Sequence, residues 1–88
     1  MVYSVEFRPA VFRSLKKYPK KDLQRIKKRI DDLAQNLPDP AFTKMKGSND
    51  FHKVRIGDYR IIYKIHSDIL VILVVKIGHR KDVYRQLP

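Results

Sequence analysis

Apolar and polar positions change period several times along this chain, and each change marks an element. Over Val2–Phe7 the apolar residues Tyr3, Val5 and Phe7 alternate with polar or small neighbours, the period of a half-buried strand. Pro9 suits the first turn of a helix, where its missing N–H costs nothing. A short helix through Leu15 would bury Val11 and Leu15, and Tyr18-Pro19 ends it, because a residue before proline is pushed out of the helical region. From Lys20 to Leu37 the residues Leu23, Ile26, Ile30, Leu33 and Leu37 recur at helical spacing with Lys, Arg, Asp and Gln between them. This amphipathic helix stops at Pro38 and Pro40. So short a break between the helices predicts an antiparallel hairpin lying on one face of a sheet.

Ala41–Asp50, with Thr43, Gly47, Ser48 and Asn49, reads as a loop carrying Lys44 and Lys46. Three strands follow, Phe51–Ile56, Tyr59–Ile65 and Ile69–Ile77, joined by Gly57-Asp58 and His66-Ser67-Asp68, connections short enough for hairpins. They predict an antiparallel meander. The last strand is apolar at every position from Ile69 to Val75, as expected of a strand covered on both faces or flanked on both edges, and the first strand is placed beside it. The expected fold is α+β: an N-terminal strand, a helix hairpin and a three-stranded meander, giving a four-strand sheet with the helices on one face. Residues 1–88 are expected to form one domain, ending in a short basic tail, Gly78–Pro88.

Charge sharpens the picture. Twenty Lys and Arg against nine Asp and Glu give a formal net charge of +11 on 88 residues, a large self-repulsion that calls for a polyanionic partner. Nucleic acid is the commonest, though an anionic membrane surface or an acidic protein also suits a basic chain. The absence of cysteine excludes disulfides and thiolate metal sites. The start MVYSVEFRPA lacks the basic and apolar regions of a signal peptide, and the apolar run Ile69–Val75 is far short of the ~20 residues that span a bilayer. A cytoplasmic location without membrane contact is expected.

Strand alternation puts Phe51, Lys53 and Arg55 on one face, and His52, Val54 and Ile56 on the other. In the next strand Tyr59, Ile61, Tyr63 and Ile65 form the apolar set, so Arg60, Ile62 and Lys64 face the same way as Lys53 and Arg55. Such a surface is either the solvated side of a sheet or a phosphate site. Like charges on paired strands repel, whereas guanidinium groups bind phosphate through paired hydrogen bonds. Carboxylate catalysis finds little support, since Glu6 is the only glutamate and Asp31-Asp32 point apart on a helix. His52, His66 and His79 are too scattered for a metal cluster, and no cofactor is expected. His79 alone adjoins the basic site.

The order of elements, with Lys44-Met45-Lys46-Gly47, the hairpin run His52–Tyr63 and the tail Ile77-Gly78-His79-Arg80-Lys81-Asp82-Val83-Tyr84, resembles the RelE toxins of the RelE/ParE superfamily over nearly the whole chain. The resemblance implies a type II toxin: an endoribonuclease that cuts mRNA in the ribosomal A site and is held inactive by a cognate antitoxin. It implies catalytic roles for Lys53, Arg55, Arg60 and Arg80, stacking of Tyr84 on a base, and RNA contacts from Lys44, Lys46, Lys64 and Lys81. Arg55 stands where the family often has lysine; arginine holds phosphate but does not readily yield a proton, which leaves Lys53 as the base and His79 as a possible acid or base. Competing readings are a ParE-like DNA gyrase inhibitor on the same scaffold and a nucleic-acid-binding module without catalysis.

Overall fold

The computed structural model describes residues 3–37, 43–45, 47 and 50–79. In chain order the elements are β1 (Ser4–Phe7), α1 (Pro9–Ser14), a 3-10 turn (Leu15–Lys17), α2 (Lys20–Gln35), β2 (His52–Ile56), β3 (Tyr59–His66) and β4 (Val71–His79). The sheet order is β1-β4-β3-β2, with β1 parallel to β4 and the other neighbours antiparallel. The mixed α+β architecture expected from the pattern is therefore present, with the last strand flanked on both edges.

Prolines set the helix starts. Pro9 occupies the first turn of α1, Tyr18 is extended (φ −92°, ψ 148°) ahead of Pro19, and Pro19 caps α2. Asp22 in the first turn of α2 complements the helix dipole. Ile26, Ile30, Leu33 and Ala34 form the buried side of α2 and, with Val11, meet Val54, Tyr59, Ile61, Tyr63, Ile72, Val74 and Ile77 from the sheet. Both helices thus cover one face. Ring contacts fasten the layers: Tyr18 meets Tyr59 edge-to-face at 5.1 Å, the Tyr18 hydroxyl donates to the Ile77 carbonyl at 3.0 Å, and the Tyr59 hydroxyl donates to Asp22 Oδ2 at 2.7 Å. That last bond, aided by burial, pushes the Tyr59 phenol up to about 12.

Two turns differ in quality. Ile56 pairs with Tyr59 across Gly57-Asp58, and Gly57 alone of that pair has positive φ (57°), the type II′ arrangement that matches strand twist. In the other hairpin β3 runs on to His66 and β4 begins only at Val71, so Ile69 and Leu70 belong to the turn and not, as the apolar run predicts, to the strand. Leu70 is left-handed (φ 55°), which costs a branched residue roughly 1–2 kcal/mol, and Ile69 is exposed. The helix α2 likewise stops at Gln35, two residues before the predicted end, as Asn36 turns out at φ −133°.

Candidate functional site

The sheet face opposite the helices carries the cations. β2 and β3 pair Lys53 with Ile62 and Arg55 with Arg60, so the two arginines stand directly across from each other. Opposed side chains in an antiparallel pair lie only about 5 Å apart at Cβ, a placement that costs stability unless an anion bridges them. Lys53 and Arg55 are exposed and Arg60 is half-buried. Beneath them Phe51, Ile62 and Val75 are buried, with Met45 and Leu73 packed against them. The Lys64 ammonium sits 5.1 Å above the Phe51 ring, a cation–π contact that holds its charge over this apolar floor.

One member escaped the alternation argument. Tyr63 pairs with Val74 but Ile62 pairs with Lys76, leaving Val75 as an extra residue on β4. This bulge reverses the phase of β4, so Lys76 faces the same side as Lys53, Ile62 and Arg60. Beyond it Gly78, opposite Arg60, brings no side chain to the face. A lone lysine closing an apolar run was the available signal; the bulge that gives it direction depends on pairing with β3.

Lys44 lies elsewhere. It bridges to His52, whose ring belongs to the helix side, while its neighbour Met45 packs against the Phe51 cluster. Lys53, Arg55, Arg60 and Lys64 are thus brought together on one face, and Lys44 is not. His79 closes β4 as the partner of Tyr59; its side chain, with Lys46, Arg80, Lys81 and Tyr84, lies outside the described residues.

Directly behind Lys53 in the chain, His52 is 7% exposed and stacks on Tyr63 at 5.5 Å, with Nδ1 bonded to the Thr43 hydroxyl at 2.9 Å. Burial, then the nearby Lys44 charge, lower its pKa from the usual 6.5, opposed by Asp50. The fold therefore prefers neutral His52, and the unfolded chain binds the proton more readily. Stability should be fully present above about pH 6.5 and be lost as pH falls through the lower folded value. Denaturant melts between pH 5 and 8 test this. The wild type should weaken on the acid side more than His52→Gln, and parallel profiles would contradict the assignment.

The described residues include no helix long and apolar enough to cross a membrane. The family of ParE toxins from type II toxin–antitoxin systems matches residues 5–84. Toxin RelE1 of Methanocaldococcus jannaschii is 33% identical over 88 residues, covering 97% of this chain and 98% of that protein. The chain is a RelE-type toxin of the RelE/ParE superfamily. Toxin RelG of Mycobacterium tuberculosis is 27% identical to the toxin over 90 residues, with coverage of 98% and 100%. Among solved structures, the archaeal RelE–RelB complex of Pyrococcus horikoshii matches with TM-score 0.76 and 28% identity, over 92% of the toxin and 98% of that chain. Isolated Escherichia coli RelE shares the fold at TM-score 0.78 with 20% identity, over 90% of the toxin and 85% of that chain.

Proposed function

We propose that the toxin is a ribosome-dependent endoribonuclease that cuts mRNA in the A site, and that a cognate antitoxin holds it inactive. The observation carrying this reading is the cationic set Lys53, Arg55, Arg60, Lys64 and Lys76 gathered on one face of the sheet. RNA supplies its own nucleophile, the 2′-OH. Its attack on the adjacent phosphate needs a proton acceptor, stabilisation of charge on the phosphoryl oxygens, and protonation of the departing 5′ oxygen. In this reading Lys53 accepts the proton, and Arg55 and Arg60, opposed across β2 and β3, hold the phosphate between their guanidinium groups. By resemblance Arg80 or His79 serves the leaving oxygen and Tyr84 stacks on a base. Lys46, Lys64 and Lys81 would contact the flanking backbone, a role that the bridge to His52 takes from Lys44. The reaction calls for no cofactor. Relatives such as P. horikoshii RelE have been solved with RelB, which supports the antitoxin as partner.

The ParE description of the matching family keeps a second reading in view, inhibition of DNA gyrase without nuclease action. Primer extension on mRNA in programmed ribosomes separates the two: discrete cuts support the nuclease, and growth arrest without cuts supports the gyrase reading. Binding to single-stranded RNA should also weaken steeply with salt, log K falling by about 0.7 per phosphate contacted for each unit of log salt. An affinity indifferent to salt would remove the phosphate role of this face.

A further inference from the structure

The cationic face continues past Lys76 to the first strand. β1 runs parallel to β4 with Phe7 beside Val74, and the Arg8 N–H donates to the Val74 carbonyl at 3.1 Å. Phe7 packs against the helix-side core. Arg8 follows it in extended backbone (φ −63°, ψ 146°), so its side chain leaves on the opposite side of the sheet, the side that carries Lys53 and Arg60. There it stands one strand spacing, about 4.8 Å, from Val75 and Lys76, the two residues that the β4 bulge places together on that side. Arg8 and Lys76 are both half-buried, and neither forms an ion pair among the described residues. Glu6, the carboxylate of β1, lies a two-residue step further back, level with Leu73, and is exposed.

The fold gains nothing from this pair. Like charges on adjacent strands repel, and half-burial strips water from both without returning a partner. Bulges re-aim side chains beside functional sites. Here the bulge turns Lys76, which plain alternation from Val74 would send to the core, out beside Arg8. An anion held between the two accounts for the arrangement, since the guanidinium offers a planar fork and the ammonium three more donors, a set suited to phosphate. This place is separate from the one between Arg55 and Arg60. In the order β1-β4-β3-β2 the two pairs are centred two strand spacings apart, about 10 Å. Arg60 pairs with Gly78, two residues beyond Lys76, which adds about 7 Å along the strands. One phosphate cannot touch both pairs, whereas one RNA strand crossing the sheet meets them in turn. An acidic protein segment would also find two cations, but a strand already held at Arg55 and Arg60 reaches this place at high effective concentration.

We propose that Arg8 and Lys76 form a second phosphate subsite, which holds another phosphate of the same RNA strand and so sets the direction in which that strand crosses the sheet. The proposal rests on the ribonuclease reading above. The test uses a 2′-O-methyl tetranucleotide, which the toxin can bind but not cut, with one linkage at a time made a neutral methylphosphonate. Wild-type affinity should fall about tenfold at each of two linkages. Arg60→Ala should lose its sensitivity to one of them and Arg8→Gln/Lys76→Gln to the other, while Arg8→Lys/Lys76→Arg keeps both. The Gln variant should bind the unmodified RNA more weakly, with the slope of log K on log salt shallower by about 0.7. Arg8 makes no side-chain cap to α1, so the helix start stays intact, and thermal melts should hold or rise as repulsion is relieved. A wild type that responds at a single linkage, a Gln variant that responds at the same two as wild type, or a loss confined to antitoxin binding overturns the subsite. Binding reads the subsite without cleavage, so a wild type that responds at both linkages yet leaves mRNA uncut in programmed ribosomes counts instead against the nuclease reading.

Discussion

Lys53→Ala and Arg60→Ala should each lower mRNA cleavage in programmed ribosomes by about 10²–10⁴ while leaving the fold intact. Lys53 is exposed and Arg60 half-buried on the face away from the main core, so neither truncation opens a core cavity, and stability should move by only about 0.5 kcal/mol. The rate suffers far more, because a proton acceptor or a charge-stabilising donor acts where charge develops in the transition state. Arg60→Ala also leaves Arg55 without its opposed partner, so one phosphate loses half of a paired grip. By resemblance Arg80→Ala carries the same expectation. Primer extension measures the cuts and thermal melts control for folding. Full cleavage by well-folded Lys53→Ala/Arg60→Ala would rule out this face as the site.

Ile61→Ala should be the most damaging change to stability. Ile61 is 0% exposed and pairs with Val54 on one side and Ile77 on the other, both buried on the helix face. Removing it leaves a cavity walled by two strands that hydrogen bonding holds in place, so the loss should reach about 2–5 kcal/mol. For a domain of this size each kcal/mol lowers Tm by roughly 4–8 °C, so a fall of some 10 °C or more is expected. Urea melts give the same quantity through the midpoint. Phe12→Ala is the control: Phe12 is exposed and should change little. A loss below about 1 kcal/mol at Ile61 would mean that the core collapses around the gap.

The parts of this fold that were legible in sequence are those written in local periodicity. The spacing of Ile26, Ile30 and Leu33 marks the buried side of α2, and the alternation of Val54 with Lys53 and Arg55 separates the two faces of β2. What escaped depends on partners distant in the chain. Ile69 and Leu70 look like strand residues, yet the antiparallel path back from His66 needs four turn residues, and Leu70 takes a backbone state that its side chain disfavours. Lys44 reads as one more cation beside the site until its bridge to His52 shows which side of the edge it occupies. Burial of His52 follows from alternation, but its bond to Thr43 does not.

The extra residue at Val75 makes β4 two segments of opposite phase, sharing one backbone between two hydrogen-bonded neighbours. The effect of a length change in this strand would therefore depend on where it falls. Deleting Val75 would close the Tyr63–Val74 and Ile62–Lys76 pairs into one regular ladder, keeping Val74 and Ile77 towards the core and Lys76 on the charged face, at the loss of one side chain from the apolar floor. Among diverging copies of the gene, loss of the codon for residue 75 would leave both faces of β4 as they are, whereas loss of any other codon in the strand would turn over the residues between that point and the bulge. The length of β4 should consequently vary more readily at residue 75 than elsewhere in the strand.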